Sequence, residues 1–124
     1  INRQMMATSK LSFFRAGWIA DYPDAENYLS LFYGKNFSPS GPNYTHFKND
    51  EFDKLYQLAL SENNDSLRYN YYNKMDKIII NNAVIVPLYY DKVLRFSHKN
   101  IFGLTNNPIN MLNLKTVNKV LVNP

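Results

Sequence analysis

The stretch "FFRAGWIADYPDAENYL", Phe13 to Leu29, puts an arginine, the only tryptophan of the chain and two aspartates into one short aromatic run. Neither a plain core strand nor a plain surface helix asks for that mixture, which points to a segment shaped around something that is not protein. Its first part, with Leu11, Phe13, Arg15 and Gly17 on one face and Ser12, Phe14, Ala16 and Trp18 on the other, predicts a strand over residues 11–19. Gly17 inside that strand marks a bulge or the close approach of another backbone or a ligand. Pro23 removes a ladder donor and restricts Tyr22, so the strand ends there. Residues 24–33 predict a short helix capped by Asp24, with Glu26 in the first turn where a carboxylate favours the positive helix end, and Gly34 closing it.

Working outward, "KNFSPSGPNYTHFK" (35–48) carries Pro39, Gly41 and Pro42 among small polar residues and predicts a long loop, of the kind more often functional or mobile than structural. Asn49 or Asp50 caps a helix whose Phe52, Leu55, Tyr56 and Ala59 form one stripe. After the turn "SENND" a second helix runs from about Ser66 to Asn81, with Leu67, Tyr71, Met75 and Ile78 as its apolar face, and the short turn predicts an antiparallel pair. The β-branched run Ala83 to Tyr90 and the following Val93 to His98 predict two strands, the first bent or at an edge because of Pro87. Gly103 and Pro108 punctuate a loop before a last strand in "NLKTVNKVLV" (113–122). The expected fold class is mixed α/β (α+β): a small sheet flanked by helices, one domain over residues 1–124, reading as part of a larger fold. The strand at residues 11–19 has no partner nearby in sequence.

Composition narrows the function classes. The chain has 124 residues, 45% hydrophobic and 19% charged, which is ordinary for a folded domain. Ten tyrosines supply flat rings with polar tips, suited to half-wet pockets as well as cores. The formal net charge is +4, yet Lys and Arg are interleaved with Asp and Glu, so no segment offers the converging cations that nucleic-acid binding requires. Cysteine is absent, which removes disulfides and thiolate metal sites. The opening "INRQMMATSKL" has neither the plan of a signal peptide nor a helix cap, and the expectation is a fragment of a longer polypeptide.

No catalytic residue and no cofactor is expected. His46 and His98 stand far apart without metal-ligand spacing, no serine sits in a nucleophile elbow, and the four glycines form no phosphate cradle. Asp21 and Asp24 are a conceivable carboxylate pair for a hydrolase, although Asp24 already serves as a cap. Arg15, Asp21, Trp18 and Tyr22 together offer a cation, an anion and aromatic walls to a small zwitterion. An Arg15–Asp21 ion pair beside a core tryptophan accounts for the same residues.

The segment "RAGWIADYPDAENYL" resembles the signature of the extracytoplasmic solute-binding proteins, family 5, that serve ABC importers of oligopeptides, dipeptides and nickel. Gly17, Trp18, Ala20, Asp21, Tyr22, Asp24, Asn27, Tyr28 and Leu29 fit the pattern, and Ala25 departs from its usual proline. The likeness continues in family order through "THFKNDEFDKLYQLAL", "NNAVIVPLYYD" and "IFGLTNNPINMLNLKTV", corresponding to the C-terminal part of a typical member.

The resemblance implies a two-lobed, non-enzymatic trap. It assigns Asp21 to the amino terminus of a short peptide ligand, Arg15 to a peptide carboxylate, and Trp18 and Tyr22 to pocket walls. It further implies delivery to an ABC permease in the membrane and an extracytoplasmic location with a lipid anchor in the full-length protein. Nickel complexes or another solute are alternatives within the family, a carboxylate-pair hydrolase and a peptide-sensing module outside it. Unpaired strand edges in a fragment would favour self-association of the chain into a homo-oligomer.

Overall fold

The computed structural model describes residues 2–107 and 110–121. The chain forms two compact units, Ile1–Pro87 and Leu88–Pro124.

In the first unit the two longer predicted helices form where their stripes place them, the one predicted over 24–33 is α-helical only over its middle, and a further short helix stands at the start. Helix α1 spans Asn2–Ala7 and α2 spans Glu26–Leu29, followed by 3-10 turns at Ser30–Phe32 and Gly34–Asn36. Helix α3, Asp50–Ser61, starts at Asn49, whose side chain accepts from the Phe52 amide at 2.9 Å, and Asp50, Glu51 and Asp53 set negative charge in its first turn. Helix α4, Asp65–Asn81, starts in the same way at Asn64, which accepts from the Leu67 amide at 3.2 Å. It closes through Ala83, held at φ +50° where glycine is usual.

These helices share one core. Leu29, Phe32 and Tyr33 meet Phe52, Tyr56 and Ala59 of α3 and Tyr72, Met75 and Ile79 of α4. The Tyr33 and Tyr56 rings stack with centroids 4.4 Å apart, and Phe47 meets Phe52 edge-on at 6.0 Å. The α3 stripe is buried as predicted, with Leu55 at its margin. The α4 face is rotated by about one residue from the expected one: Tyr72, Met75 and Ile79 are buried, Tyr71 and Ile78 half-buried, and Leu67 exposed. Periodicity locates a stripe but not its centre, and here the Tyr72 hydroxyl settles the rotation by reaching Asp24 at 2.9 Å.

The 35–48 loop is tied down through Asn43, whose side chain is fully buried. Asn43 Nδ2 donates to the carbonyls of Tyr33 (3.1 Å) and Phe47 (2.9 Å), and its Oδ1 accepts from Thr45 Oγ1 at 2.8 Å. Its amide donates to the Asn36 carbonyl at 2.7 Å, and its carbonyl accepts from the Ser38 amide at 3.2 Å. Gly41 passes so close to the chain that a Cβ there would stand 2.5 Å from the Asn36 carbonyl oxygen. His46 is half-buried, its Nε2 2.9 Å from the Ser38 carbonyl oxygen.

The predicted strand at residues 11–19 does not form a ladder. The segment carries no regular structure, and a Cβ placed on Gly17 would meet nothing within 4 Å. The runs at 83–90 and 93–98 likewise form no strand. Alternation creates two faces, but a strand exists only when another backbone takes up its N–H and C=O groups.

The second unit holds the two-stranded sheet of the described residues. Strands β1 (Ile101–Phe102) and β2 (Asn118–Lys119) pair antiparallel, Ile101 opposite Lys119 and Phe102 opposite Asn118. Strand β2 falls within the expected last strand, whereas β1 was expected as loop. Gly103 follows at φ +80°, and a Cβ there would stand 2.1 Å from the Thr116 carbonyl oxygen, so only glycine fits this turn. The Arg95 guanidinium donates to the Asn110 carbonyl (2.8 Å) and to Asn110 Oδ1 (2.7 Å), ordering that loop. Pro108 and Val122, at the expected loop and strand end, lie outside the described residues. The expected mixed helical and β class holds, with helices and a small two-stranded sheet.

Candidate ligand-binding site

Three acidic side chains follow one another at the turn into α2, and their surroundings separate them. Asp24 is consumed by the fold. Its Oδ1 accepts from the Tyr72 hydroxyl and from the Glu26 amide, each at 2.9 Å, and its Oδ2 lies 3.4 Å from Arg68 Nη1. The expected cap is therefore present in a modified form, because Asp24 bonds the chain two residues on while Ala25 occupies the cap position. Glu26 is consumed as well: one oxygen accepts from the Tyr22 hydroxyl and the other from the Tyr56 hydroxyl of α3. Asp21 is exposed, and among the described residues its carboxylate has no hydrogen-bond or ion-pair partner.

The main chain at Asp21 is nevertheless held. Asn27, buried in α2, presents Oδ1 to two donors, the Trp18 indole Nε1 at 2.6 Å and the Asp21 amide at 3.3 Å. Trp18 keeps 37% of its surface exposed, so it is not a core residue. Tyr22 is half-exposed with its hydroxyl on Glu26, and Arg15 is exposed on the same segment. The structure thus brings Trp18, Asp21 and Tyr22 together through Asn27 and Glu26.

The phenols bear the imprint of their carboxylate partners. Burial, then the hydrogen bond to Glu26, pushes the Tyr56 hydroxyl well above its ordinary range, and burial followed by the bond to Asp24 does the same for Tyr72. The Tyr22 hydroxyl is raised chiefly by its bond to Glu26, with the Asn27 amide acting in the opposite sense. A group that keeps its proton more tightly when folded contributes stability that is whole below the unfolded value, about 10 for tyrosine, and is lost as pH rises through the folded value. Urea midpoints are therefore expected to fall as pH rises above about 10, and the double variant Tyr56→Phe/Tyr72→Phe to flatten that decline.

Sequence reasoning marked Arg15, Trp18, Asp21 and Tyr22; it counted Asn27 among the residues that fit the family pattern but gave it no role, and it missed Tyr56, Tyr72 and Arg68 as partners of the acids. A signal for Asn27 was present. It is a poor helix former in a first turn, nine residues after a tryptophan whose N–H needs an acceptor.

No family model matches the chain. Curated proteins do. The dipeptide-binding protein DppE of Bacillus subtilis is 26% identical over 110 residues, 89% of this chain and 20% of that protein. A putative binding protein of Haemophilus influenzae is 30% identical over 79% of this chain and 18% of its own length. The periplasmic oligopeptide-binding protein OppA of Salmonella typhimurium is 36% identical over 76 residues, 61% of this chain and 13% of its own. The chain is a relative of the oligopeptide- and dipeptide-binding proteins. It spans about a fifth or less of the length of these three relatives.

Proposed function

We propose that the chain is part of the substrate-binding component of an ABC importer of short peptides, with the Asp21 carboxylate receiving the ligand amino terminus. The observation carrying this reading is the division among the three acids: Asp24 and Glu26 are occupied by tyrosines and Arg68, while Asp21 alone is exposed, on a main chain held by Asn27 beside a half-exposed tryptophan. The names of the relatives, which bind dipeptides and oligopeptides, support the ligand class.

An ammonium group meeting Asp21 forms a charge-assisted hydrogen bond, stronger than a neutral one. Arg15 takes the carboxylate of the peptide, and Trp18 and Tyr22 border its side chains. Holding the termini by charge and leaving side chains to rings and water fits a carrier that accepts many sequences. A hydrolase needs two working carboxylates, and Asp24 is already committed to Tyr72 and Arg68. The complete protein is extracytoplasmic and lipid-anchored, in line with the periplasmic location in the names of relatives, and hands its peptide to a membrane permease.

Calorimetry on the complete protein tests the assignment. Acetylating the amine of a bound peptide, or Asp21→Asn, is expected to weaken binding by about tenfold to a hundredfold. Affinity unchanged by both would remove Asp21 from the site. The peptide should be recovered intact after incubation, and cleavage would favour the hydrolase.

A further inference from the structure

We infer that Asn27 is a positioning residue for ligand binding, whose one side-chain oxygen sets the Trp18 wall and the Asp21 main chain in a common register. The ligand part of this inference rests on the peptide-binding reading above. Asn27 is buried, so water competes poorly for its amide oxygen, and a carbonyl oxygen has lone pairs for two donors. The indole N–H takes the short bond of 2.6 Å and the Asp21 amide the long one of 3.3 Å. The two donors share one acceptor, so the position of the indole determines how firmly the turn carrying the Asp21 carboxylate is held.

The short helix α2 fixes that oxygen. Leu29, two residues on, is in the core, and the Asn27 carbonyl accepts from Ser30 Oγ at 2.8 Å. Without the acceptor, the indole and the Asp21 amide would have to find water, and the rings and charge that meet a ligand would no longer share an anchor. Asp21 then keeps its carboxylate and loses its placement.

The chain has a single tryptophan, so one indole N–H resonance reports the clamp directly. In Asn27→Leu that resonance is expected to move and the Asp21 amide to exchange faster, with the amides of Phe52 and Met75 unchanged. Asn27→Asp keeps an acceptor and should restore both signals. Trp18→Phe, which removes the competing donor without touching Asn27, should slow exchange at Asp21. In the complete protein Asn27→Leu is expected to weaken peptide binding about tenfold, the effect of losing two neutral hydrogen bonds, with recovery in Asn27→Asp. An unmoved indole and unchanged Asp21 exchange in the folded variants would overturn the clamp. A broken clamp with undiminished affinity would overturn the positioning role. Should the wild type bind no peptide, the functional reading fails together with the ligand part, while the indole and amide signals still decide the clamp.

Discussion

Phe52→Ala is expected to destabilise the chain by about 3–5 kcal/mol, the range for truncating a fully enclosed aromatic side chain. Phe52 has no exposed surface. It lies at the start of α3, where its ring meets Phe47 at 6.0 Å and Tyr56 at 6.4 Å. Those contacts join the loop to the helix pair, so the space left by the ring has fixed walls and cannot close cheaply. The cap at Asn49 survives the substitution because it uses the Phe52 amide and not its side chain. Urea denaturation followed by far-ultraviolet circular dichroism measures the loss. Phe52→Leu, which keeps most of the volume, should cost less than half as much, and equal losses would show that the ring contacts matter more than the cavity.

Asn43→Ala is expected to cost about 3 kcal/mol or more, because it strips buried carbonyls of their donors while leaving them buried. The carbonyls of Tyr33 and Phe47 lose the Asn43 amide group, and the Thr45 hydroxyl loses its acceptor. An unsatisfied buried acceptor bears its full desolvation cost, which outweighs the modest net gain of the bond itself. Asn43→Asp keeps the acceptor for Thr45 but turns a carboxylate toward two carbonyl oxygens, so it should be the worse of the two. Urea midpoints should rank wild type, Ala, then Asp, with proteolysis of residues 35–48 accelerating in the same order. A stable Asn43→Asp would contradict the bonding described.

The candidate site was legible in part, and the boundary is instructive. An isolated tryptophan beside an aspartate in an aromatic run is visible in the order of residues, and so is the proline that breaks the run. The order marked Asp24 as taken by a cap, but it could not show that Glu26 is spoken for as well, or which remote groups hold the two. Their partners Tyr56, Arg68 and Tyr72 lie thirty or more residues later, on helices whose rotation decides which hydroxyl points back. The same limitation explains the α4 face, where a stripe was legible and its centre was not.

By itself the sequence determined the features that depend on neighbours along the chain. The α3 cap, read as Asn49 or Asp50 and taken by Asn49, the α3 stripe and the turn between the two helices all form within a few residues. Only the tertiary structure decided which carboxylate is left exposed, how the tryptophan is held, and that the runs at 11–19, 83–90 and 93–98 do not become strands among the described residues. The physical reason is common to all three. A helix satisfies its backbone internally, whereas a strand, a clamp or a spare charge is defined by a partner remote in the sequence.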